Sequence, residues 1–285
     1  MPRLIAPVFN STTPQSVRID MPNSFTLISG AEKPYQVASR YLRNEMDENR
    51  RMFDKRVDMS SLFLVGDYPE MRLSDDRDWI EEIENKLNLA TTSGTCSIPY
   101  VITAQANLYG ITYLKRSLDG SKYMFDEDAQ RIFLALLERN LPTLAFRRYS
   151  LSLEKKSYED QLLDLWIGLE SLFVPDGKKG EITYKLRLRM AYYFGETLKQ
   201  REKIAQLIKK SYNHRSEIVH SGKVFGNSLA EEVGILRLMA RAAILNVAME
   251  GITLQDLRVR LDQLILTGDS YYAHYQPSFF ERVSL

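Results

Sequence analysis

Cysteine and histidine are nearly missing from this chain. Cys96 is the single cysteine in 285 residues, so an internal disulfide framework is excluded and a reducing cytoplasm suits the composition. The three histidines, His214, His220 and His274, make no transition-metal cluster at ligand spacing. No metal or other cofactor is therefore expected. No apolar run approaches the ~20 residues of a membrane helix, so a membrane is not an expected partner. The opening Met-Pro-Arg-Leu-Ile-Ala-Pro-Val-Phe is too short and too proline-interrupted for a secretory signal, and the expected location is the cytoplasm. The phosphate-cradling and nucleophile-elbow patterns G-x-x-x-x-G-K-[ST], G-x-G-x-x-G and G-x-S-x-G are absent. Cys96 has no basic neighbour in sequence to activate it. Asp75, Asp76 and Asp78 are acidic enough for a divalent ion, but an acidic first helical turn explains them fully.

What is present is a core and an uneven charge. Apolar residues make up 44% and charged ones 26%, the balance of a globular protein that buries one large core or two ordinary ones. The net charge of +1 hides an asymmetry: between Lys178 and Lys223 twelve Lys/Arg face four Asp/Glu, a balance of +8, so the rest of the chain carries −7. A basic segment of this kind suits a polyanion partner, although Lys and Arg also simply solvate helix exteriors.

The chain changes texture near residue 125. Before it, β-leaning runs at 16–20, 25–29, 61–65 and 111–114 alternate with turn clusters, and helical patterns cover 35–53 and 75–89. An α+β module over 1–125 follows, with a sensing or regulatory role expected. From 126 to 285 the pattern is helical, with candidate helices at 126–139, 142–154, 158–173, 182–194, 197–220, 229–249 and 254–264. Pro142, Gly195, Gly222 and Gly251 punctuate them. The segment 229–249 is apolar around most of its circumference, which predicts a central or interface helix.

Two of these helices carry a charge where an apolar residue belongs. One reads Ile204, Leu207, Ile208, Tyr212, Arg215, Ile218, Val219, with Arg215 inside the stripe. The other reads Leu162, Leu163, Trp166, Leu169, Glu170, Phe173, with Glu170 inside it. A buried charge is costly unless paired, so Glu170 and Arg215 are expected to satisfy each other. Five residues after Arg215, His220 closes its helix, where the helix C-terminus favours an imidazolium suited to proton transfer. Arg215 and His220 form an R-x4-H pattern, a candidate RNA-cleaving pair. On a regular helix they stand about 140° apart, but the last turn can leave helical geometry and swing the imidazole round, and the long Arg215 side chain reaches far from its own backbone. Asn213, Glu217 and His220 form the adjacent polar face. His214 is expected to point to solvent, and His274 to lie at the surface or an interface. The structural alternatives are a helix-capping role for His220 and a purely ion-pairing role for Glu170.

The segments Leu162-Leu-Asp-Leu-Trp-Ile-Gly-Leu-Glu-Ser-Leu-Phe173, Gly180-Glu-Ile-Thr-Tyr-Lys-Leu-Arg-Leu-Arg-Met-Ala191 and Tyr212-Asn-His-Arg-Ser-Glu-Ile-Val-His-Ser-Gly222 resemble the HEPN superfamily. The nearest branch is the Apea-like group of prokaryotic anti-phage proteins. The likeness spans residues 130–265 and leaves 1–125 uncovered. It implies a helical bundle that homodimerises, and a metal-independent endoribonuclease of the defence or toxin type, poised for a phage or cellular trigger molecule. By position, Arg215 would stabilise the charged phosphate, His220 would move protons on the 2′-OH or the leaving 5′-oxygen, and Glu170 would orient Arg215. Asn213, Ser216 and Glu217 would support them. Ser216 departs from the Asn, Asp or His usual after the arginine. Lys185, Arg187, Arg189, Lys209, Lys210 and Lys223 are the expected RNA contacts. The family also contains non-catalytic modules that bind a nucleotide, RNA or a protein partner, which is the alternative reading.

Overall fold

The computed structural model describes residues 4–29, 61–66, 73–105, 108–114, 122–174 and 181–271. The expected helix at 35–53 and His274 lie outside the described residues. The chain is mainly helical with an antiparallel sheet towards its N-terminus, and it divides into two compact units, Met1–Leu137 and Glu138–Leu285.

The first unit is built on β1 (Leu4–Val8), β2 (Ser11–Thr12), β3 (Arg18–Met21), β4 (Phe25–Ser29), β5 (Leu62–Gly66), α1 (Leu73–Ala90), β6 (Tyr100–Gln105), β7 (Leu108–Tyr113), β8 (Tyr123–Met124) and α2 (Glu127–Leu137). Six strands form one sheet in the order β3-β4-β5-β1-β6-β7, antiparallel throughout, while β2 and β8 make a small parallel pair. Strand β1 is buried along its whole length although it contains Pro7. Its pairing with β6 covers only Leu4 and Ile5, so that ladder ends before the proline, which has no N–H to give. Helix α1 lies against the sheet, stacking Trp79 on Phe25 at 4.4 Å and burying Ile80, Ile83 and Leu87. Two buried polar side chains of α1 hold the segment leading into β6: Glu84 accepts the Ile98 N–H at 2.6 Å, and the Asn88 amide exchanges bonds of 3.0 and 2.8 Å with the Cys96 backbone. Cys96 is fully buried, in accord with a packing role.

Helix α2 sits in this first unit, so the unit reaches past residue 125 to Leu137. Its buried face of Ala129, Ile132, Phe133 and Leu136 goes with its packing on α1, and Phe133 lies edge-on to Phe125 at 6.0 Å.

The second unit holds α3 (Thr143–Glu154), α4 (Tyr158–Phe173), α5 (Ile182–Phe194), α6 (Leu198–Ser221), α7 (Ala230–Glu250) and α8 (Leu254–Thr267). Boundaries follow local chemistry. Ser157 caps α4 by accepting the Asp160 N–H, and capping boxes at Thr197/Gln200 and Thr253/Asp256 start α6 and α8. Gly222, Gly251 and Gly268 end α6, α7 and α8 at φ 63, 64 and 81°, a backbone that side chains with a Cβ resist. Helix α7 is buried nearly all round and packs on α3 and α4. Gly168 lets α3 approach α4 closely, its hydrogen standing where a Cβ would meet Ala145 O and Arg148 Cβ at 3.4 Å. Among the described residues no helix is long and apolar enough to cross a membrane.

Helices α4 and α6 are joined by Trp166, whose buried indole N–H donates to the buried Ser211 hydroxyl at 3.0 Å. Ser211→Ala leaves that N–H without an acceptor in a dry interior. Denaturant unfolding followed by circular dichroism is expected to show a loss of about 1–3 kcal/mol; unchanged stability would mean the bond contributes nothing.

Candidate functional site

The site grows outward from the Trp166–Ser211 bond. One residue past Ser211, Tyr212 meets the Trp166 ring edge-on at 5.2 Å. One turn along each helix from the bond stand Glu170 and Arg215, which the structure brings together as the sequence predicts. Their separation is 3.7 Å between Glu170 Oε1 and Arg215 Nη2, too long for a hydrogen bond. The expected mutual satisfaction is therefore only electrostatic. Glu170 Oε1 is buried without a hydrogen-bond partner, and Arg215 makes no hydrogen bond to any described residue. The guanidinium instead lies over the Tyr212 ring at 5.5 Å. Burial, then the negative charge of Glu170, pushes the Tyr212 phenol above its ordinary range, and Arg215 pulls it partly back. The result is a positioned, partly exposed cation with its N–H donors uncommitted.

His220 is exposed in the last turn of α6, and its imidazole has no partner among the described residues. Helix α6 stays regular through Ser221, so the last turn does not leave helical geometry. Arg215 and His220 remain about 140° apart around the axis and about 7.5 Å apart along it. Val219 is 51% exposed, so the apolar stripe of α6 emerges at the surface beside His220. Asn213 is exposed and Ser216 half-buried. Glu217 binds Lys223 at 2.5 Å, which holds its carboxyl below the usual range.

His214 does not simply point to solvent as expected: one ring nitrogen is engaged and the side chain is only 20% exposed. Its Nδ1 stands 2.9 Å from Oε2 of Glu232 on α7, and its ring lies 4.6 Å from Phe225. The physical reason is Glu232 itself. It shares the face of α7 that carries Leu236, Met239 and Ala243, all buried, and needs a donor there. The rule that singles out Glu170, a charge within an apolar stripe, would have found Glu232 as well.

The expected RNA contacts separate into two groups. On α5, Arg189 forks onto Asp262 at 2.9 and 2.8 Å and donates to Phe173 O. Arg187 donates to Ala205 O at 3.3 Å, and Lys185 pairs with Glu181 at 2.7 Å. Helix α5 packs between α6 and α8; Arg189 commits its donors to neighbouring elements, while Arg187 commits its Nε–H to Ala205 O. On α6, Lys209 and Lys210 are exposed and unpaired among the described residues. Lys223 is tied to Glu217 and lies 4.6 Å over the Phe225 ring.

The connection from α6 to α7 is held from below by Glu159 in the first turn of α4. Its carboxylate accepts the Phe225 and Gly226 N–H groups, each at 2.7 Å. Those backbone donors, Gly226 foremost, hold the Glu159 carboxyl below its ordinary value. Comparison with protein-family models, with curated proteins and with solved structures finds no match to this chain.

A carboxyl depressed by folding stabilises at pH above its unfolded value, and that contribution is lost as pH falls through the folded value. Glu159→Ala is expected to be less stable than the wild type near neutrality. As pH falls through the folded value the gap to the wild type should narrow. A gap of constant size at every pH would contradict the assignment.

Proposed function

We propose that this chain is a metal-independent endoribonuclease of the HEPN type, cytoplasmic and homodimeric, serving anti-phage defence or toxin-like growth arrest. The observation that carries the reading is Arg215: a guanidinium fixed by Glu170 and Tyr212 but hydrogen-bonded to neither, with its planar donors open to a phosphate. The exposed His220 on the same helix supplies a group able to move protons, and Lys209 and Lys210 add positive charge to that helix.

The chemistry is transesterification. The 2′-oxygen attacks the adjacent phosphorus, the bond to the 5′-oxygen breaks, and a 2′,3′-cyclic phosphate and a 5′-OH remain. Negative charge grows on the non-bridging oxygens in the transition state, so a preorganised guanidinium lowers the barrier more than it tightens ground-state binding. Glu170 keeps Arg215 aimed without consuming its donors. Within one α6 the two motif residues diverge by about 140°, and pairing of two copies supplies a composite cleft in which Arg215 and His220 meet one phosphate.

The test is incubation of purified protein with a mixed RNA pool in EDTA, beside Arg215→Ala and His220→Ala. The expected outcome is wild-type cleavage leaving cyclic-phosphate ends, with each variant slower by about 10²-fold or more. Binding of the pool without turnover points instead to a non-catalytic module that holds RNA, a nucleotide or a protein partner. Equal cleavage by all three proteins removes Arg215 and His220 from the reaction.

A further inference from the structure

We infer that His214, oriented by Glu232, is a second proton-transfer residue of the same site; this rests on the ribonuclease reading above. Cleavage by 2′-OH attack needs two proton movements, one off the nucleophile and one onto the leaving oxygen. One His220 holds one of these positions, and His214, next to Arg215 in the chain, is placed to hold the other.

The geometry of His214 is that of a base held in one tautomer. A carboxylate only accepts, so the 2.9 Å contact to Glu232 Oε2 places the hydrogen on Nδ1. Nε2 then carries the lone pair. It has no partner among the described residues and is not among the buried polar atoms left unsatisfied, so it opens to solvent. The imidazole is 20% exposed, while Glu232 behind it is only 7% exposed. The buried carboxylate fixes the orientation and tautomer of the ring. Phe225 packs on the ring from the α6–α7 connection, and Glu159 anchors that connection through the Phe225 N–H.

Position on α6 favours this residue. His214 is adjacent to Arg215, about 100° round the axis and about 1.5 Å along it, whereas His220 is about 140° round and about 7.5 Å along. Of the two histidines, His214 is therefore the nearer to Arg215 along and around the helix, although it turns to Glu232 on α7 while Arg215 turns to Glu170 on α4. Nε2 of His214 takes the proton of the 2′-OH as the 2′-oxygen bonds to phosphorus. The bond from phosphorus to the 5′-oxygen breaks, and protonated His220 gives its proton to that oxygen. His214 ends protonated and His220 neutral, and exchange with water restores both.

The experiment measures cleavage of the RNA pool in EDTA by the full chain and by His214→Gln, His214→Ala and Glu232→Gln. Gln at 214 keeps a donor for Glu232 but offers no base. The expected result for His214→Gln is wild-type melting and RNA affinity with turnover down by about 10²-fold or more. His214→Ala should regain part of its rate when free imidazole is added, which restores a base but no packing. Glu232→Gln, a change at a positioning residue, should lower kcat while leaving KM in place. Wild-type turnover by His214→Gln alongside an inactive Arg215→Ala overturns the role of His214 and leaves the nuclease reading standing. Loss of rate that follows loss of folding, with no response to imidazole, also overturns it. An inert wild type overturns both.

Discussion

The bond from the Trp166 indole to the Ser211 hydroxyl is the contact on which the candidate site depends. It is buried on both sides, so neither partner can exchange it for water without breaking the α4–α6 interface. It also sets the phase of both helices. Glu170 lies four residues after Trp166, and Arg215 four after Ser211, so a bond at one level dictates a charge pair one turn on. The T-shaped contact of Trp166 with Tyr212 then supplies the aromatic surface under the guanidinium. Slip either helix by one residue and Arg215 leaves Glu170.

Arginine usage in the helical unit sharpens the contrast. Arg201 donates to the carbonyls of Gly195, Gly268 and Asp269 and to the Ser270 hydroxyl, and lies 4.1 Å over Tyr192. Arg189 spends its fork on Asp262 and a third donor on Phe173 O. These are fasteners, each with its donors assigned. Arg215 has none assigned among the described residues, and a cation with open donors is the arrangement that anion recognition needs. The +8 balance of the segment from Lys178 to Lys223 is correspondingly a poor guide by itself, since several of its charges close the fold.

Legibility in the sequence followed the strength of local rules. The helices of the second unit are bounded by caps and glycines whose chemistry is local, so α3 to α8 stand close to the predicted spans. Strands β1 and β6 were not legible. Pro7 argues against a strand in isolation, and only the register of β1, whose ladder to β6 stops at Ile5, shows why it is tolerated. The amphipathic α2 was readable as a helix but not as part of the first unit, because its partners are Phe125 and α1 rather than anything in its own periodicity. Arg215 and Glu170 were legible as charges within apolar stripes. The engagement of His214 was not, because its partner sits eighteen residues away across a turn of the fold.

The disposition of His214, Arg215 and His220 around α6 constrains any mechanism that uses them. At 100° per residue they stand at about 0°, 100° and 240°, encircling the helix rather than lining one side. One phosphate cannot touch all three on a single straight helix that stays regular to Ser221. Their heights differ as well: His214 and Arg215 share a level, while His220 is more than a full turn nearer the C-terminus. On the proposed reading, the proton for the leaving oxygen therefore comes from the His220 of a second copy. An antiparallel partner helix offers its C-terminal turn at the level of this chain's Arg215. The exposed Val219, next to His220, gives such a pairing an apolar surface to bury. On that same reading, the regularity of α6 is the physical reason for bringing two copies to one phosphate.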